Sequence, residues 1–180
     1  MKIKNSLTLL LWLALISACA KKPAPSAQQS FFANLKSLCG QVFTGASTYP
    51  DDPEHDFAGK LLVADFSSCE AQEMRIKFVV GEDHSRTWVV TESAQGMLLK
   101  HDHRHEDGTP DEITNYGGWA TDEGTEWRQH FAADQETADL IPAASTNVWM
   151  LQYNPDTQVL TYDLKRHGLP RYQAQLKPKK

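Results

Sequence analysis

The chain of 180 residues lacks a long apolar run, an excess of basic charge and more than a few cysteines. The apolar stretch from Leu7 to Ile16 falls well short of the roughly 20 residues needed to cross a bilayer core. Lys and Arg number 18 against 23 Asp and Glu, and the net charge is −5. Such a balance would repel phosphates and argues against a nucleic-acid partner. There is no C-x-x-C pair, no G-x-S-x-G, no H-E-x-x-H and no phosphate-cradling glycine loop, so the common enzyme signatures are missing. The D-x-[DN]-x-[DN]-G order of a calcium loop is also missing around Asp107, Asp111 and Glu112.

The first residues, MKIKNSLTLLLWLALISACAKK, have the order of an export signal. Lys2 and Lys4 precede a short apolar segment, which runs into small residues. The site Ile16-Ser17-Ala18-Cys19 resembles the lipobox of bacterial lipoproteins. That resemblance implies a signal peptide over 1–18, lipidation of Cys19, and, with Ala20 next, sorting to the outer membrane facing the periplasm. An ordinary secretory leader cleaved after Ala18 or Ala20 is the alternative. Two or three acyl chains convert marginal membrane binding into stable binding, so the membrane contact expected is through lipid alone. The stretch AKKPAPSAQQS has no apolar periodicity and reads as a tether, placing the flexible segment at 19–30 and a single domain at 31–180. Without Lys2 and Lys4 the mature chain carries 16 basic residues against 23 acids, near −7.

With Cys19 assigned to lipid, Cys39 and Cys69 remain, and in an oxidising compartment an even pair is most simply a structural disulfide. The segment 30–41 reads as a short helix with Ser30 as N-cap and Gly40 as stop. Beyond it the chain breaks into about ten short β-like runs bounded by Gly, Pro, Asp and Asn: 41–46, 59–66, 72–80, 86–93, 97–105, 111–117, 125–131, 146–153, 157–165 and 171–176. A helical turn fits at 134–140, before Pro142. The expected fold is therefore all-β with one short N-terminal helix. An antiparallel meander closing into a lipocalin-like barrel is preferred, with a β-sandwich as the alternative.

The stretch LLKHDHRHEDG, 98–108, carries the most chemistry. On a strand His101, His103 and His105 share one face, and Lys100, Asp102 and Arg104 the other. Neighbouring same-face residues lie roughly 6.5–7 Å apart, close enough for two imidazoles to converge on one Zn or other divalent transition-metal ion. A third ligand would have to come from Glu106, Asp107, His130, Glu82 or Asp83. The competing reading is a hydrogen-bonded polar strand end. Asp83-His84-Ser85 invites a triad, but neighbours on an extended chain point to opposite faces. Arg86 and Trp88 share a face, where the arginine would stack on indole or pair with an acid of the next strand; together with Asp102 and Arg104 they are the candidate ligand contacts. Trp119, Trp127 and Trp149 read as core or barrel-end aromatics.

The blocks VGEDHSRTWVVT (80–91), LLKHDHRHEDGTPD (98–111), NYGG (115–118) and TNVW (146–149) carry a resemblance to one family. From about Cys39 to Tyr172 the chain resembles a family of uncharacterised bacterial secreted proteins and lipoproteins. The resemblance implies secretion and no particular activity. Three functions therefore stay open: a non-enzymatic binding domain for a small molecule or an envelope protein, a metal-dependent hydrolase using His101, His103 and His105, and a structural accessory of the envelope.

Overall fold

The computed structural model describes residues 24–180, so the expected signal peptide, Cys19 and residues 20–23 of the expected tether lie outside the described residues, while its last four residues, 27–30, are helical and not a flexible tether. Helix α1 spans Ala27–Lys36 and starts earlier than Ser30. The reason is a capping box. The Ser26 side chain accepts the Gln29 backbone N–H at 3.2 Å, while the Gln29 side chain accepts the Ser26 N–H at 2.9 Å. Gly40, at φ 83°, ends the turn that follows, and its N–H reaches Phe66 O at 2.9 Å.

Ten strands follow: β1 Val42–Tyr49, β2 Leu62–Cys69, β3 Glu73–Val80, β4 Asp83–Ser93, β5 Gly96–His103, β6 Tyr116–Ala120, β7 Arg128–Ala133, β8 Val148–Asn154, β9 Val159–Arg166 and β10 Leu169–Pro178. Each pairs antiparallel with its neighbour, and β1 pairs with β10, closing a barrel. Closure disposes of the sandwich alternative and leaves no free sheet edge. Helix α2, Gln135–Leu140, and a 3-10 turn, Pro142–Ala144, lie between β7 and β8. Asp134 caps α2 through the Thr137 N–H at 2.9 Å.

Strand β6 is the main departure from the expected boundaries, for it begins at Tyr116 instead of Asp111. Residues 104–115 turn back on themselves: Asp111 accepts the Ile113 N–H at 3.0 Å, and Arg104 bridges to Pro110. Gly117 and Gly118 lie inside the strand. A Cβ at Gly117 would collide with Leu99 O, and one at Gly118 with Ala132 O, so β6 approaches both neighbours too closely for any side chain there.

Inward residues alternate most clearly along β2, β3 and β8, and the inward side chains fill the barrel. Phe43, Phe66, Met74, Ile76, Leu99, Phe131 and Leu160 are fully buried. Helix α1 closes one end with Phe31, Phe32 and Leu35. Gln28 accepts the Met97 N–H at 3.1 Å and Asn34 donates to Glu126 O at 2.9 Å, fixing α1 to the β4–β5 and β6–β7 turns. The Cys39–Cys69 disulfide forms at the same end, joining the turn after α1 to the last residue of β2. The opposite end is open.

Candidate functional site

Strand β5 carries the first two histidines of the run inward and drops the third. His101 is buried on the barrel axis. Its Nδ1–H donates to Tyr116 O at 3.1 Å, since a carbonyl can only accept, and Nε2 therefore accepts from the Tyr162 hydroxyl at 2.9 Å. Burial holds its pKa at about 3; the hydrogen bond to the Tyr116 carbonyl opposes this, and His103 and Lys100 add smaller effects in the direction of burial. Both ring nitrogens are thus occupied in a neutral imidazole. Tyr162 stays protonated because burial pushes its phenol well above the usual value.

One step nearer the opening, His103 Nε2 shares a 3.0 Å hydrogen bond with the Tyr116 hydroxyl. Burial, then the charge of Arg86, lower its pKa, against the attraction of Asp111, Asp83 and Asp102. Burial raises Tyr116 to about 12. His105 lies past the end of β5, with its N–H bonded to Thr109 O at 2.9 Å. It lines a different surface cleft with Glu82, His84 and Glu106. The strand geometry that would align all three histidines ends at His103. Among the described residues no three His, Cys, Asp or Glu side chains are grouped to hold a metal ion.

The other candidates separate by face. Arg86 and Trp88 both point inward. Trp88 stacks between Phe78 (4.3 Å between centroids) and Tyr162 (4.6 Å), deep in the core. Arg86 sits 5.1 Å over the Phe57 ring, not over indole, and pairs with Asp83 of its own strand. Burial opposes ionisation of Asp83, but hydrogen bonds from Ser85 and Arg86 prevail and hold it at about 2. Asp102 is buried on the outer face, where it accepts from Arg75 and, at 2.8 Å, from Arg104. This outer cluster ties β3, β5 and the loop after β5 together, away from the barrel interior.

The open end holds a cavity of about 430 Å³. Its floor includes Tyr162, below which Trp88 and Phe78 block the axis. Tyr116 and Trp149 stand together on one side, 6.0 Å between ring centroids. His55, from the loop between β1 and β2, stacks on Tyr172 at 5.4 Å and 16° on another. Ile113, Ile141 and Leu164 complete the apolar surface. Arg166, the last residue of β9, and Arg171, in the irregular start of β10, also line it. Arg166 Nε donates to Asn147 Oδ1 at 2.8 Å. Burial and the neighbouring Arg171 charge lower its pKa, though a guanidinium stays charged.

Sequence reasoning found His103 here and read Trp149 as a core or barrel-end aromatic. It passed over His55, Tyr116, Asn147, Arg166, Arg171 and Tyr172. For Arg166 a signal existed: the alternation Leu160, Tyr162, Leu164 continues inward to it. For His55 there was none, because it stands in the acidic loop DDPEHD, which reads as solvated surface.

No family model, curated protein or solved structure matches the chain. Function must come from the geometry of the mouth.

Proposed function

We propose that this protein is a non-enzymatic binding barrel of the bacterial cell envelope, holding a small molecule in the mouth opposite α1. One observation carries the reading: an open cavity lined by aromatic rings with a few convergent polar groups, above a core otherwise filled. Small-molecule sites are commonly concave, mostly apolar and roughly 300–1,000 Å³, and barrel mouths are a recurrent place for them. The neutral, hydrogen-bonded state of His101 and the position of His105 give the metal-dependent hydrolase no specific support. Three of the four sequence blocks singled out above supply His103, Tyr116, Asn147 and Trp149 to this cavity.

Export and anchoring through Cys19 belong to the same proposal. The order of positive, apolar and lipobox residues supports it, and so does the Cys39–Cys69 disulfide, a bond that persists in oxidising compartments. An exported Cys19→Ser chain should appear in the soluble periplasmic fraction, and wild type in the membrane.

The ligand reading is tested with N-phenyl-1-naphthylamine, an uncharged two-ring fluorophore, on the oxidised Cys19→Ser chain. Saturable fluorescence enhancement is expected. It should weaken about 10-fold or more in Leu164→Trp, which puts an indole into the cavity, given that about 1.4 kcal/mol of lost contact is a factor of 10. Unchanged binding in that variant, with its melting curve intact, would contradict a site at the mouth.

A further inference from the structure

The charge pattern of the mouth narrows the ligand class beyond a generic small molecule. We infer that the mouth is a site for a small aromatic anion, its rings held among Tyr116, Trp149, Tyr172 and His55 and its acidic group by Arg166 and Arg171. The inference rests on the ligand-binding reading above.

The two guanidiniums are the deciding feature. Among the described residues every ion pair within 4.0 Å involves Arg75, Arg86, Lys100 or Arg104; Arg166 and Arg171 have no carboxylate partner. They stand near enough for the charge of one to depress the pKa of the other. Arg166 is half-buried and oriented by Asn147, which engages Nε and leaves the terminal nitrogens free to donate. Arg171 is exposed beside it at the rim, and two like charges lining one concave apolar surface are a poor arrangement for an empty site and a good one for an anion, which guanidinium groups bind in bidentate fashion. The one acid on the lining, Asp56, is exposed at the rim.

Aromatic cages also attract cations through the faces of their rings. Here the two arginines in the wall oppose a cation, so the rings serve to stack on a planar group. A long acyl chain is disfavoured for a different reason. The stacked Phe78, Trp88 and Tyr162 rings close the axis directly beneath the cavity, leaving no channel for a tail. A compact ring system bearing a carboxylate or sulfonate fits both the space and the charge. Whether the acidic group belongs to a free aromatic acid or to a conjugate, the chemistry recognised is the same.

The test compares two probes of one skeleton on the oxidised Cys19→Ser chain: 1-anilinonaphthalene-8-sulfonate, which is anionic, and N-phenyl-1-naphthylamine, which lacks the sulfonate. Arg166→Gln/Arg171→Gln changes two hairpin residues outside the packed core, and circular dichroism with a thermal melt checks that the fold is kept. The expected result is a loss of about 10-fold or more in affinity for the anionic probe, in line with a charge-assisted hydrogen bond. Affinity for the neutral probe should stay within about 2-fold, because its contacts are with rings and aliphatic side chains. Equal weakening of both probes, or no change in either, would overturn the assignment of an anion site. Leu164→Trp separates failure of the anion site from failure of the ligand site. If it blocks both probes while the arginine pair changes neither, the mouth binds ligands without preferring anions. If neither variant affects either probe, the ligand site itself is wrong.

Discussion

Between pH 7 and pH 4 the oxidised protein is expected to lose roughly 3 kcal/mol of stability through His101 alone, because each tenfold difference in proton affinity between the folded and unfolded chain is worth about 1.4 kcal/mol. The histidine has an ordinary value of 6.5 and is held at about 3 in the fold. Across that window the unfolded chain binds a proton that the folded chain refuses, so stability falls as pH falls. His103 and His130, both lowered chiefly by burial, act in the same direction. Carboxylates lowered in the fold, such as Asp83 and Asp134, lose their contribution only below their ordinary value of 3.8, which keeps the interval from 6.5 to about 4 diagnostic for histidine. The comparison is urea unfolding of wild type and His101→Gln at several pH values. Glutamine can still donate to the Tyr116 carbonyl and accept from the Tyr162 hydroxyl. The variant should be flatter with pH by that amount, and parallel curves would show that His101 is not the buried neutral group described.

Replacing Cys39 and Cys69 together by serine should cost roughly 3–4 kcal/mol, from the chain-entropy model for a loop closed over a sequence separation of 30. The loss has a location. The bond ties the turn after α1 to β2, so hydrogen exchange should quicken first in α1 and in the β1–β2 pair. The mouth, at the far end of the barrel, should keep its probe affinity wherever the fold persists. Denaturant unfolding of the double variant, with exchange read by mass spectrometry, checks both parts. Equal stability of oxidised and variant protein would mean that helix α1 is held at its end of the barrel without help from the disulfide.

Much of the fold could be read from the chain because the signals were local. Met74, Ile76 and Phe78 alternate against Arg75 and Lys77, as a half-buried strand must, and short spacings between such runs allow only a meander. Boundaries were harder. Ser30 looks like a helix cap until Gln29 is seen to complete a reciprocal pair with Ser26. Gly117 and Gly118 look like a strand end, yet they sit inside β6 because neighbouring backbones press on it. The site was less legible for a related reason. Alternation correctly brings His101 and His103 to one face, but where the strand stops is decided by the loop through Thr109 and Asp111, and that removes His105. Arg166 and Tyr172 share the β9–β10 hairpin, but His55 joins them at the mouth only through closure of β1 onto β10, a contact between distant parts of the chain that no local pattern announces.

The most direct test of a ligand site at the open end is a two-dimensional ¹H–¹⁵N spectrum of the oxidised Cys19→Ser chain titrated with N-phenyl-1-naphthylamine. Concentration-dependent shifts are expected at the Trp149 indole N–H, the Asn147 side-chain amide and the backbone amides of Ile113, Tyr116 and Leu164, with Gln28, Met97 and Trp119 at the α1 end unmoved. Shifts confined to the α1 end or to the outer cluster of Arg75, Asp102 and Arg104 would contradict a ligand site at the mouth.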